Sequence, residues 1–190
     1  MSPVRYALLS LLAREPLTGY DLTQRINTRI APFWSVRYNQ VYPELARLEE
    51  EGLLKHHVVE QETYRPAKKV YEMTPAGQET LRRWALAPSE PMLIRDEFLL
   101  KMYNLWLLSP EQVIHQLRDQ MHLHVQQATA YEEHLAELKN RLRGTGEQSQ
   151  DPLFASMVVL THGLSYERHY VTWCQQVIES LEQERTTQSL

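Results

Sequence analysis

One cysteine in 190 residues, Cys174, leaves no pair for a disulfide framework and none for a structural zinc site built on paired cysteines. On a helix it reads as an inert packed thiol. Glycine is scarce, with six in the chain, and no Gly-rich phosphate loop follows a strand. Nor does a serine sit in a nucleophile elbow, so the chain reads as non-enzymatic and asks for no cofactor. No stretch approaches the roughly 20 apolar residues that span a bilayer. The apolar run Tyr6 to Ala13 is short, lies between Arg5 and Arg14 and lacks a small-residue cleavage site, so it does not read as a signal. The expectation is a soluble protein of a reducing cytoplasm, with no membrane partner. An overall basic excess is missing too, the formal charge being -4. Divided near Ala87, however, residues 1–87 carry 12 Lys and Arg against 10 Asp and Glu, net +2, and residues 88–190 carry 8 against 14, net -6. That asymmetry suggests a weakly basic module that meets something anionic and an acidic one that does not.

What is present is helical periodicity, with 43% hydrophobic and 23% charged residues, the composition of a globular protein. Val4, Ala7, Leu8, Leu11 and Leu12 form the stripe of a first helix that ends near Arg14, with Glu15-Pro16 closing it. Thr18 supplies a cap and Gly19 a tight entry to a second helix, whose face is Leu22, Ile26 and Ile30 and which runs to about Arg29 before Pro32 breaks it. A third helix carries Val41, Leu45 and Leu48 inward, begins between Ser35 and Gln40, and ends at Gly52, where a residue tolerant of positive φ is wanted; Pro43 disfavours regular helix around it. Leu54 to Gln61 and Lys68 to Met73 alternate as strands of a hairpin, and Thr74-Pro75 opens a helix to about Leu86. The order α-α-α-β-β-α is that of a winged helix-turn-helix.

After a linker punctuated by Pro88 and Pro91, the pattern predicts a helix from Arg95 to Leu108, then a cap, first-turn proline and capping-box glutamine at Ser109-Pro110-Glu111-Gln112. From there Ile114, Met121, Ala128, Leu135 and Leu142 recur every seven residues, as do Leu117, His124, Tyr131 and Leu138. A helix from Pro110 to Arg143 would be about 50 Å long. A polar loop, 144–151, and a last helix from Pro152 to Glu184, with Leu153, Met157, Leu160 and Leu164 on one stripe, complete an antiparallel hairpin; the tail from Arg185 is expected to fray. The heptad seam needs a partner, and a second copy of the chain is the economical one. The expected architecture is mainly α: a winged helix-turn-helix domain over residues 1–87 and a helical, coiled-coil-like dimerisation domain over 88–190. Candidate dimerisation residues are Ile114, Leu117, Met121, His124, Tyr131, Leu135 and Leu138.

In a winged helix-turn-helix the third helix enters the major groove and the hairpin touches the flanking backbone. With Val41, Leu45 and Leu48 inward, Val36, Asn39, Pro43, Ala46 and Arg47 face outward, with Gln40 and Tyr42 at the edges. Asn39 and Gln40 suit adenine edges, Arg47 suits guanine or phosphate, and small Ala46 permits close approach. Arg37 sits nearer the border and suits a phosphate. Arg65, Lys68 and Lys69 cluster at the hairpin tip, either as phosphate contacts of a wing or as an ordinary solvated turn. Glu49-Glu50-Glu51 oppose DNA contact at their end of helix three and are expected to point away from the duplex.

The run Thr18-Gly19-Tyr20-Asp21-Leu22, then Phe33-Trp34, then Gln40-Val41-Tyr42-Pro43-Glu44-Leu45 with Leu48-Glu49 and Gly52-Leu53, resembles the PadR family of bacterial transcriptional regulators. Tyr71-Glu72-Met73-Thr74-Pro75-Ala76-Gly77 and Trp84 continue the resemblance, and Arg95 to Lys101 with Gly163 to Glu167 and Trp173-Cys174 resemble its longer members. The resemblance implies a homodimeric regulator with a helical C-terminal dimerisation domain; two recognition helices in successive major grooves of double-stranded DNA would then read an inverted-repeat operator. In the phenolic-acid-responsive branch it further implies a small aromatic effector, bound near the domain junction, that releases the DNA. Candidate effector residues are Trp34, Tyr38, Phe98, Trp106, His162, Tyr166 and His169, in aromatic groups that also include Trp84, Tyr103, Tyr170 and Trp173; core packing is the competing role. His162 and His169, seven apart, share a helical face and could bond a carboxylate or phenol. His115 and His122 share a face without a cysteine pair or a matched carboxylate, so no metal site is expected. His124 interrupts the heptad as a register-setting polar group, and burial of its charge would make dimerisation pH-dependent. The rival reading is a helical dimer that docks a protein partner without binding DNA.

Overall fold

The structure, a computed structural model, describes residues 3–30, 38–60, 67–89, 95–142 and 151–188. Its contacts divide the chain into two compact units, Met1–Pro91 and Met92–Leu190. No helix among the described residues is long and apolar enough to cross a membrane.

In the first unit α1 (Pro3–Leu12) is followed by β1 (Leu17–Thr18), α2 (Gly19–Arg25), α3 (Tyr38–Glu50), β2 (Leu54–Val59), β3 (Lys68–Met73) and α4 (Pro75–Leu86). Thr18 caps α2 through its hydroxyl, which accepts from the Asp21 amide at 3.1 Å, while the Asp21 carboxylate accepts from the Thr18 amide and completes a capping box. The second helix is shorter than its periodicity predicts. From Ile26 to Ile30 it widens to a π-helical turn; Pro32 lies outside the described residues. In α3, Pro43 sits inside a continuous helix, contrary to expectation. The bond it forfeits would go to the carbonyl of exposed Asn39, which water can satisfy. Gly52 ends the turn after α3 with φ of 71°, the left-handed conformation its position predicts.

The strands form one antiparallel sheet in the order β1-β3-β2. Leu17 pairs with Tyr71 and Thr18 with Val70, so the sequence before α2 supplies an edge strand that a two-strand hairpin does not include. β2 and β3 run in continuous register from Leu54↔Met73 to Val59↔Lys68. Leu8, Leu9, Leu22, Ile26, Val41, Leu45, Leu48, Leu54 and Tyr71 make the core. Thr74 caps α4, accepting from the Gly77 amide at 3.1 Å and donating to the Gly52 carbonyl at 2.8 Å. The Trp84 ring stacks on Tyr6, centroids 4.3 Å apart.

The second unit holds α5 (Glu97–Met102), a 3-10 turn at Leu105–Leu107, α6 (Pro110–Leu142) and α7 (Pro152–Gln188). The single helix predicted from Arg95 to Leu108 is therefore two pieces. Asp96 sets the start of α5, its Oδ1 accepting from the amides of Phe98 at 2.8 Å and Leu99 at 3.3 Å. Asn104 sets the break, its Nδ2 donating to the Leu100 carbonyl at 3.0 Å. Ser109 and Gln112 exchange the predicted capping-box bonds, at 2.9 and 3.4 Å. Asp151 caps α7 through the Leu153 amide at 2.7 Å, and α7 stays helical past Arg185, where fraying was expected. The loop predicted at 144–151 lies, except for Asp151, outside the described residues.

Candidate nucleic-acid interface

One side of α3 is sealed and the other open. Val41, Leu45 and Leu48 are at most 1% exposed, while Asn39, Gln40, Tyr42, Pro43, Ala46 and Arg47 are exposed. The amide, phenol and guanidinium groups assigned to base edges and phosphates thus share the solvent side of one helix. Glu44, part of the family-like motif but without an expected contact, is buried on the same helix. Its carboxylate lies 3.6 Å from the Arg47 guanidinium one turn on and restrains that exposed side chain. Arg37 and Val36 lie outside the described residues.

Two members of the acidic run at the end of α3, Glu49 and Glu51, are held by the domain itself. Glu49 pairs with His56 of β2, tying the end of α3 to the wing, and Glu51 pairs with Arg5 of α1. The His56 ring packs 5.8 Å from Tyr71, whose phenol is pushed above its usual pKa by burial and by the Glu49 carboxylate. On the wing Lys68 and Lys69 are exposed; Arg65 lies outside the described residues. Alternation along β3 puts Lys69 on the face of buried Tyr71, the side packed on the helices, and Lys68 on the opposite face with Val70 and Glu72. On that opposite face Glu72 engages Lys55 at 3.1 Å and His57 at 3.4 Å.

In the second unit the heptad residues are covered by the chain's own α7. Ile114 and Leu117 pack with Tyr170, Cys174 and Ile178, and Met121 lies against that cluster; Tyr131 and Leu135 pack with Leu164, and Leu138 is buried. A second copy of the chain is not needed to cover them. His124 is mostly buried in the same seam. Its Nδ1 bonds the Glu167 carboxylate, its Nε2 faces Gln120 at 3.1 Å, and its ring stacks on Tyr170 at 3.8 Å.

Of the effector candidates, Phe98 and Tyr166 come together around Tyr170, at 6.4 and 6.0 Å between centroids, with Trp173 at 5.3 Å. The Tyr170 hydroxyl donates to Asp96 Oδ2 at 2.9 Å, and burial together with that carboxylate drives its pKa upward. Trp106 is 74% exposed and stands outside this group; His162 and His169 are exposed on α7. Trp34 and the side chain of Tyr38 lie outside the described residues. His115 is paired with Asp119 at 3.0 Å and His122 with Gln126 at 2.9 Å. Among the described residues no cluster of His, Cys, Asp and Glu could hold a metal ion.

Residues 8–83 match the model of the transcriptional regulator PadR-like family, and residues 94–182 that of the virulence activator alpha C-terminal region. The negative transcriptional regulator PadR of Bacillus subtilis is 30% identical over 97% of this chain and 100% of its own length. The chain belongs to the PadR family. It is therefore a transcriptional regulator rather than an enzyme. Among solved structures, B. subtilis PadR in complex with operator DNA superposes with a TM-score of 0.83 at 28% identity, over 95% of this chain and 98% of that one. The same protein in complex with p-coumaric acid gives 0.70, over 94% and 98%. The Vibrio cholerae virulence activator AphA gives 0.69 at 25% identity, over 95% and 98%.

Proposed function

We propose that this PadR-family protein is a cytoplasmic homodimeric repressor that reads an inverted-repeat operator with α3, steadies itself on phosphates through the wing, and releases the DNA when a small aromatic acid binds. The observation that carries the reading is the two-sidedness of α3: three fully buried aliphatics behind an exposed row of Asn39, Gln40, Tyr42, Ala46 and Arg47. Asn39 and Gln40 read bases, Arg47 reads guanine or holds a phosphate under the restraint of Glu44, and Arg37, Arg65 and Lys69 hold phosphates. Two such helices in successive major grooves require half-sites about 34 to 36 Å apart. The negative-regulator name and the operator complex of the B. subtilis relative support repression and DNA.

The dimer surface belongs to the second unit, at the exposed apolar residues of α5 and the following turn: Leu99, Leu100, Tyr103, Trp106 and Leu107. Five exposed apolar side chains within nine residues suit an association face. The p-coumaric acid complex of the relative supports a phenolic-acid effector, with Phe98 and Tyr166 the described candidates nearest Tyr170. Such a ligand acts only through a difference in affinity between DNA-bound and released states. The test is titration of the protein against DNA from its own upstream region, at two salt concentrations, with and without a panel of phenolic acids. Specific binding lost on adding a phenolic acid supports the whole reading, and binding indifferent to the panel removes the effector class. No specific binding at either salt overturns the DNA reading in favour of a dimer that docks a protein.

A further inference from the structure

We propose that Gly19 is a positioning residue: its missing side chain makes the seat that holds the Tyr42 phenol against the duplex, where the hydroxyl donates to a backbone phosphate. The inference rests on the reading that α3 binds DNA, and goes beyond it in naming what places one of its contacts. Gly19 opens α2, and the only described glycine with positive φ is Gly52, so backbone conformation does not explain a glycine there. Space does. A Cβ at position 19 would stand 2.6 Å from Tyr42 Cε1, 3.1 Å from Cζ and 3.2 Å from the hydroxyl oxygen. The ring occupies the volume that any other residue at 19 would claim.

The backbone at Gly19 is also the partner that cannot yield. Its carbonyl accepts from the Thr23 hydroxyl at 2.9 Å, and the residue before it, Thr18, is fixed by the Asp21 capping box and by pairing with Val70 of β3. Tyr42 is 44% exposed, so a methyl group at 19 displaces the ring and leaves the helix in place. A phenol seated against the Gly19 backbone and still partly exposed is a pre-set contact that binding does not have to order. A single hydroxyl has no bidentate match to a base edge, as an amide or guanidinium has, and a tyrosine in such a place contacts phosphate.

The test measures affinity of the full-length protein for a fragment of its upstream region, for base-substituted versions of that fragment, and across salt. Gly19→Ala and Tyr42→Phe are each expected to weaken binding about tenfold per half-site, the scale of one hydrogen bond to a charged group. The loss should be equal on all base-substituted fragments and leave the salt slope unchanged, because a neutral hydroxyl releases no counterion. Gly19→Ala should melt close to the parent, and the double variant should bind no more weakly than Tyr42→Phe alone. Gly19→Ala binding like the parent, or losses that multiply in the double variant, would overturn the proposal. If Gly19→Ala fails to fold, Tyr42→Phe decides alone: uniform loss at constant salt slope sustains the phosphate contact, and loss confined to particular base pairs overturns it. A parent protein without specific binding defeats the DNA reading itself, a result distinct from either.

Discussion

Lys69→Ala is expected to reduce the salt dependence of operator binding, and Lys68→Ala is not, although the two are adjacent and equally charged. The distinction comes from the register of the wing. Lys69 pairs with Val58 and shares its face with His56 and Tyr71, the side on which Glu49 of α3 meets the sheet. Lys68 faces the other way, beside Val70 and Glu72. Each phosphate neutralised contributes about 0.9 to the slope of log affinity against log salt, so two wings of a homodimer contribute about 1.8. Between about 50 and 200 mM salt, a fourfold range, the Lys69 variant should therefore lose about 12-fold less affinity than the parent. Fluorescence anisotropy of a labelled operator fragment over that range measures the slope directly. Equal reductions from both variants would refute the one-faced wing, and no reduction from Lys69→Ala would remove the wing from the DNA contact.

Three further outcomes concern stability. Tyr170→Phe removes the 2.9 Å bond to Asp96 and should lower unfolding free energy by about 1 to 2 kcal/mol in urea titration, whereas exposed Tyr166→Phe should leave it near the parent value. Gly77→Ala places a methyl group inside contact distance of the Leu53 carbonyl, which is held by the Thr74 amide at 3.0 Å and the Thr74 hydroxyl at 3.1 Å; the urea midpoint should fall by the equivalent of about 2 to 3 kcal/mol, and an unchanged midpoint would show that the turn can move. Burial pushes the Cys174 thiol up to about 11 and, with Asp96, the Tyr170 phenol upward as well. Both folded values lie above the unfolded ones, so the stabilisation is complete below about pH 8.5 and declines as pH rises toward and through the folded values. Unfolding free energy should fall over that alkaline range, less steeply in Cys174→Ala, and a flat profile would contradict the burial of both groups.

The sealed face of α3 was legible because three aliphatics at helical spacing leave one rotation of the helix, and every exposed candidate on it follows from that rotation. β1 was not legible: two residues carry no periodicity, and their partners, Val70 and Tyr71, are some 50 residues away in sequence. The break after α5 hangs on one amide, Asn104, turned back onto a carbonyl, and nothing in the apolar spacing of Leu99 to Leu108 announces it. Glu44 and Glu167 look like surface acids in sequence, yet each is buried beside a cation or a histidine; their signal is tertiary. Gly19 reads in sequence as an entry to α2, and only the Tyr42 ring in the space of a Cβ gives the absent side chain a tertiary reason.

The heptad gives the clearest limit on reading a partner from a repeat. A seven-residue period specifies a helix that must cover the seam, and says nothing about which chain supplies it. Here α7 supplies it, and the polar pair His124–Glu167 interrupts an otherwise apolar seam at one level, which selects a single register between the helices. That register brings Tyr170 over His124 and its hydroxyl to Asp96. Asp96 in turn caps α5, and the start it fixes turns Met102 into the core and leaves Leu99, Leu100 and Tyr103 outside. The heptad is thus closed within the chain, and it fixes the helix that presents Leu99, Leu100 and Tyr103 to solvent.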